Sequence, residues 1–191
     1  MMKGIEALEK RRSVYQLNKF LPVGEDIVLA LIQEAVRLVP DAFDMKSQRI
    51  VVALGTKQDQ LWDMIYNVFG GKVDREKIDT FKSAYGTIVY FYDKSIVQHI
   101  QEQFPRYKEN FPIWAQQSNG MIQFTIWTEL AGLGIGANIQ HYNPVIDKAV
   151  QELFNIPENY VLVAQMPFGG IVAEREAKAE EDISKRVRFI K

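Results

Sequence analysis

Gly132-Leu133-Gly134-Ile135-Gly136-Ala137, continued by Asn138-Ile139-Gln140-His141-Tyr142, is the stretch on which the fold class turns. Its spacing is formally G-x-G-x-x-A, the fingerprint with which a strand-turn-helix unit seats a dinucleotide pyrophosphate on a helix amino terminus. That unit needs a strand before the glycines and a helix after them. Here the order is reversed. Ile122, Ile126, Leu130 and Leu133 give residues 113–133 a helical spacing, and the residues after the glycines read as extended. A doubly wound sheet is therefore not expected. Two readings of the glycines remain: a turn that ends the helix, or a place where backbone lies close to a flat ligand.

On either side, helices and strands mix without regular alternation, which predicts an α+β fold. Residues 25–39 form a helix with a wide apolar face, stopped by Pro40. Residues 49–55 and 86–92 are short, continuous and β-branched, as buried strands are. Between them the pattern predicts helices over Gln58–Phe69 and Asp74–Ala84, parted by Gly70-Gly71. Pro144–Phe154 reads as a further helix, Tyr160–Pro167 as a third core strand and Val187–Ile190 as a short terminal strand. The 113–133 helix is apolar on several sides and belongs in the middle of something. Residues 174–191 hold five acids and six bases and have no core of their own. They form either a solvated terminus or an arm lying on another surface, most simply a second subunit.

The chain has 191 residues, 47% of them hydrophobic, which suits one domain over residues 1–191 with its own core and excludes disorder. The absence of cysteine excludes disulfides, iron–sulfur clusters and thiolate catalysis. Lys and Arg number 23 against 24 Asp and Glu, so no global field draws the protein to nucleic acid or to an anionic membrane. The first residues carry acids where a signal peptide needs an apolar run, and no stretch approaches the roughly 20 apolar residues of a membrane span. The expectation is a soluble cytoplasmic protein. Two histidines, His99 and His141, are too few for a metal cluster, and no serine carries a readable nucleophile setting. Any basic site must be local. Arg11-Arg12-Ser13 offers two planar guanidiniums and a hydroxyl within three residues, a cradle for phosphate. Arg186-Val187-Arg188 alternates so that a strand would turn both arginines to one side. The two pairs meet only if the termini meet or a partner brings them together.

Four segments, in order and spanning nearly the whole chain, resemble one family, the nitroreductases, in the form of its short fatty-acid-repression-like subgroup. Arg11-Arg12-Ser13-Val14-Tyr15 is similar to the family's amino-terminal R-R-S motif, and Pro40 to Ser47 to its P-S-x-x-N-x-Q segment. Gly134 to Pro144 resembles the subgroup's L-G-A-x-L-Q-H-Y-N-P signature, the most specific part, and Arg186-Val187-Arg188 its terminal R-V-K. The resemblance implies a nitroreductase-like fold: a central, mainly antiparallel sheet flanked by helices, in an intertwined homodimer whose 174–191 arm packs on the partner. It also implies FMN at the subunit interface, NADPH or NADH as electron donor, and a nitroaromatic, quinone or similar small-molecule acceptor. No nucleic acid or membrane partner is implied.

Carried over residue by residue, Arg11 and Ser13 hold the FMN phosphate and ribityl chain together with Arg186 and Arg188. Arg12 and Tyr15 belong to the same motif. Gly134, Ile135 and Gly136 lie beside the ring with their amides toward N5 and O4, and Gln140, His141 and Asn143 line the acceptor side. The chemistry is then a ping-pong hydride transfer through flavin N5, with no catalytic side chain and no metal. Two neighbouring positions depart from the pattern. The family asparagine facing the flavin pyrimidine is Asp44 here, and the family glutamine is Lys46. An ionised carboxylate only accepts hydrogen bonds, so Lys46 either supplies the missing donor and a charge near N1 and O2, or simply pairs with Asp44. Two other readings stay open: a flavin- or small-ligand-binding regulatory protein with little turnover, and a dimeric interaction module with a vestigial pocket.

Overall fold

The computed structural model describes residues 3–173 and 175–191. In chain order the elements are α1 (Lys3–Lys10), β1 (Leu17–Asn18), α2 (Glu25–Leu38), β2 (Gln48–Leu54), α3 (Thr56–Val68), α4 (Arg75–Lys82), β3 (Gly86–Asp93), α5 (Lys94–Gln103), α6 (Phe111–Gly132), β4 (Gly136–Ala137), α7 (Asp147–Phe154) and β5 (Tyr160–Ile171). The sheet runs β1-β5-β3-β2, with β4 also pairing with β5, and every strand pair is antiparallel.

The two-residue period of a strand sorts the core into two layers. Ile88 and Tyr90 of β3 pack with Ala164 and Met166 of β5 against Val28, Ile32, Ile122, Ile126 and Leu130 of α2 and α6. Val89 and Phe91 turn the other way, onto Leu61, Trp62, Ile65, Ile78, Phe81 and Val150 of α3, α4 and α7. Helices thus cover both faces of an antiparallel sheet, the α+β arrangement the element order predicts. Phe111, Ala115, Ile122 and Ile126 fix one side of α6 to the interior, while Ile113, Met121 and Phe124 are exposed. The helix read as central is covered on only part of its circumference within one chain. Among the described residues, no helix is long and apolar enough to cross a membrane.

Two expectations need correction, and one helix was not anticipated. Residues 187–190 form no strand; no strand among the described residues pairs with them, and a lone strand has no ladder to hold it. The helix expected from Pro144 begins at Asp147, after a turn. Residues 94–103 form α5, where Ile96, Val97 and Ile100 are too few apolar positions for a period to register. What starts α5 is Asp93, at the end of β3. Its carboxylate accepts from the Ser95 amide at 3.0 Å, the Ser95 hydroxyl at 2.6 Å, the Asn159 amide at 2.6 Å and Arg49 Nη2 at 3.0 Å.

Candidate functional site

Arg11-Arg12-Ser13 follows α1 directly and is fastened to the strand after the glycine turn. The Val14 amide donates to the Ala137 carbonyl at 3.0 Å, and Asn138 Nδ2 donates to the Val14 carbonyl at 2.7 Å. The Arg11 guanidinium lies over the Trp127 ring, 4.2 Å from its centre. Burial, and then the charge of Arg12, lower the Arg11 pKa, but a guanidinium so placed stays charged. These residues, with Tyr15 and Phe124, line a pocket of about 1000 Å³.

Its remaining wall is a segment that sequence reasoning missed, Arg175 to Lys178. Arg12 Nη1 donates to the Glu176 carbonyl, and Arg175 Nε donates to the Ser13 carbonyl at 3.2 Å while its guanidinium lies over the Tyr15 ring. Arg186 and Arg188 do not line the pocket; Arg186 pairs instead with Glu181 at 2.9 Å. In a tail of alternating acids and bases no pattern distinguishes Arg175 and Lys178 from the other cations. Only their distance from the end of β5 does.

The glycine run serves the chain itself. Gly134 has φ +75° and closes α6: its amide donates to the Ala131 carbonyl at 3.1 Å and the Ile135 amide to the Leu130 carbonyl at 2.9 Å. This is the double hydrogen bond of a Schellman cap, the turn reading of the sequence. Ile135 is buried in the α2–α6 core. A Cβ on Gly136 would lie 2.7 Å from Leu17 Cδ2 and 2.9 Å from Ile171 Cγ1, so its missing side chain admits neighbours from its own chain. Gln140 exchanges backbone hydrogen bonds with Gln165 at 2.7 and 2.9 Å, and its Nε2 donates to Asn138 Oδ1. His141 is exposed and Asn143 half-buried, and neither they nor Gln140 border the pocket.

Asp44 and Lys46 lie elsewhere, paired at 3.2 Å with side chains 81% and 79% exposed. Phe43, Asp44 and Lys46 all have φ between 52° and 55°, the left-handed region, which non-glycine residues rarely occupy. Asp41 stabilises the loop by accepting from the Ala42 amide at 2.8 Å, the Ser47 amide at 2.7 Å and the Ser47 hydroxyl at 2.6 Å. Phe43 packs among Phe104, Phe111 and Trp114 and edges a second pocket, of about 440 Å³, beside Trp114 and Met121. The two pockets follow one another along α6, the second against Trp114 to Met121 and the first against Phe124 and Trp127.

The first pocket therefore offers guanidiniums, a hydroxyl and aromatic faces, a donor set for a phosphorylated flat molecule. Among the described residues, no group of three or more His, Cys, Asp or Glu is placed to hold a metal ion. The sequence pattern of the Nitroreductase family matches residues 8–170. Nitroreductase CinD from Lactococcus lactis, solved in complex with chloramphenicol, superposes with a TM-score of 0.92 at 41% identity, covering 98% of this chain and 99% of that one. Nitroreductase FRM2 of Saccharomyces cerevisiae is 29% identical over 91% of each chain. A nitroreductase with bound FMN from Desulfitobacterium hafniense shares the fold at a TM-score of 0.72 and 16% identity.

Proposed function

This chain belongs to the nitroreductase family, and from that premise we propose that it is an FMN-dependent NAD(P)H oxidoreductase acting on nitroaromatics, quinones or similar acceptors. The observation that carries the reading is the pocket in which Arg11, stacked on Trp127, stands with Arg12 and Ser13. Arg11 and Arg12 neutralise the FMN phosphate, and Ser13 holds the phosphate or ribityl chain by a hydrogen bond. FMN, when bound, supplies two-electron hydride transfer between donor and acceptor in turn. The chain supplies position and exclusion of water rather than an acid or base.

Asp44 and Lys46 are absent from this pocket, so in the proposed reading they act from a second copy. The exposed face of α6, with Ile113 and Met121, is where that copy would pack, and a two-fold axis across α6 sets the Phe43–Lys46 end of one copy against the Arg11 end of the other. Arg186 and Arg188 would reach a flavin phosphate only as part of a tail that leaves its own chain. Removing residues 183–191 is then expected to weaken the dimer, read as mass in solution; a truncated protein that stays dimeric overturns the arm.

The decisive measurement is the visible spectrum of the purified protein before and after anaerobic NADPH or NADH. A yellow protein bleached by a donor is expected. A colourless protein that takes up no FMN overturns the proposal. The exposed Asp44–Lys46 pair favours one other reading, a flavin-binding regulatory protein with little turnover; bound flavin that neither donor bleaches would select it.

A further inference from the structure

Asp44 and Lys46 touch each other as an ion pair in water, a contact that fixes neither side chain. Where they point is therefore set by the backbone that carries them. In that backbone the Lys46–Ser47 peptide is held from both sides: its N–H donates to Asp41 Oδ2 at 2.7 Å, and its carbonyl accepts from Arg49 Nη1 at 2.8 Å. A peptide bonded at both groups cannot turn over without losing both bonds. The guanidinium that takes the carbonyl is itself fixed. Arg49 stands opposite Phe91 in the β2–β3 pair, Asp93 lies two residues further along β3, and Tyr160 faces Asp93 on β5. Arg49 Nη2 donates to the Asp93 carboxylate at 3.0 Å, Nε to the Tyr160 hydroxyl at 3.0 Å, and Nη1 also to the Gln48 carbonyl at 2.9 Å. One half-buried side chain thus joins the loop to β2, β3 and β5.

We propose that Arg49 is a positioning residue of the flavin site: by holding the Lys46 carbonyl it sets the peptide beside which Lys46 and Asp44 project, so that the effect of both on the cofactor depends on Arg49. The inference rests on the oxidoreductase reading above, in which this loop acts from a second copy, and names the side chain that aims it. Arg49 acts through the loop and not on the ring. Without it Asp41 holds only the N–H, the peptide can rotate, and the Lys46 ammonium spends less time at any one distance from the flavin, which weakens its field there. Lysine is no substitute, because a single nitrogen cannot meet acceptors spread around a planar fork.

The test compares Arg49→Lys, which keeps a cation beside Asp93, with the unmodified protein by hydrogen exchange and by the flavin midpoint potential with and without Lys46→Gln. The Asp44 and Ser47 amides, both bonded to Asp41, are expected to exchange faster by about tenfold or more while those of Ile88 and Tyr90 in β3 stay unchanged. The shift in potential on Lys46→Gln is expected to shrink by about half or more in the Arg49→Lys background. Tyr160→Phe, which removes only the Nε partner, should move both readouts the same way by less, and it decides the matter if Arg49→Lys loosens β3 as well. Unchanged exchange of the two loop amides overturns the inference, as does a Lys46→Gln shift of equal size in both backgrounds. The exchange measurement needs no flavin reduction, so it separates this proposal from the one above. A yellow protein bleached by a donor, with loop amides indifferent to Arg49, refutes only the positioning role.

Discussion

The Trp127 indole holds the Arg11 guanidinium on its face, 4.2 Å from the ring centre, while its own Nε1 donates to the Ala137 carbonyl at 3.1 Å. The cation of the phosphate motif is therefore positioned by a side chain of α6 that is itself fixed to the strand after the glycine turn. Arg11→Ala is expected to weaken FMN binding by a factor of about ten or more, ~1.4 kcal/mol. Trp127→Leu removes the stacking, worth about 0.5–1 kcal/mol, and the Nε1 hydrogen bond to Ala137, but it leaves the guanidinium itself to meet the phosphate and should cost FMN affinity less. Flavin-fluorescence titration measures both. Equal retention of FMN by the two variants and the unmodified protein would reject the cradle.

Gly169 and Gly136 both pack against neighbours, with unequal consequences. A Cβ at Gly169 would lie 2.8 Å from the Tyr85 backbone nitrogen, which cannot move without disturbing the strands around it. At Gly136 the obstacles are side-chain carbons, Leu17 Cδ2, Ile171 Cγ1 and Val14 Cγ1, which give way more readily than backbone. Gly169→Ala is expected to cost about 3 kcal/mol and Gly136→Ala about 1 kcal/mol, read from urea unfolding midpoints. The reverse order would refute the packing account.

Asp93 makes stability depend on acid. Burial alone would raise its carboxyl pKa, but hydrogen bonds from Ser95 and Asn159 and the charge of Arg49 outweigh burial and leave it below the ordinary value. A depressed pKa contributes stability above the unfolded value, about 3.9 for aspartate, and that contribution is lost as pH falls through the folded value. Melting temperatures should thus drop steeply below about pH 4, and less steeply in Asp93→Asn, which starts from a lower stability. Parallel pH profiles for the two proteins would exclude Asp93 as the source.

Lys46 and Asp44 carry opposite expectations for a bound flavin. A cation near the reduced ring favours its anionic form, so Lys46→Gln should lower the flavin midpoint potential and Asp44→Asn raise it. A redox titration reads both. Unmoved potentials would leave the two residues as an exposed ion pair with no part in the cofactor's chemistry, in keeping with their 3.2 Å contact.

The strands β2, β3 and β5 were legible because β-branched and aromatic runs have few other homes, and α6 because its period is long. The end of α6 was legible too, since left-handed Gly134 is what a Schellman cap requires. Arg11 and Ser13 could be named from chemistry, because two guanidiniums and a hydroxyl in three residues have a geometric use. Arg175 could not. Its role comes from the antiparallel pairing of β1 with β5, which sets the residues before Leu17 beside the end of β5 and so brings Arg175 to the Ser13 carbonyl, a contact 162 residues apart in sequence. The glycine run left two readings open, a turn and a close approach to a ligand, and what the sequence did not carry was the packing of Gly136 on Leu17 and Ile171. Left-handed Phe43, Asp44 and Lys46 broke the local rule against such residues, and the three hydrogen bonds to Asp41, with Phe43 packed among Phe104, Phe111 and Trp114, explain how the loop persists.

The Val14 amide bonded to Ala137, with the Val14 carbonyl held by Asn138, joins the phosphate motif to the sheet near residues as distant as β5. Such a motif cannot open as a separate flap. The exchange of the Val14 amide with deuterium should then follow the global unfolding equilibrium instead of local fraying, although it stands only four residues after the end of α1. A cofactor bound there draws on the stability of the whole chain and returns it: its affinity would fall with every core substitution that loosens β4 from β5, and its presence would slow exchange far from the pocket.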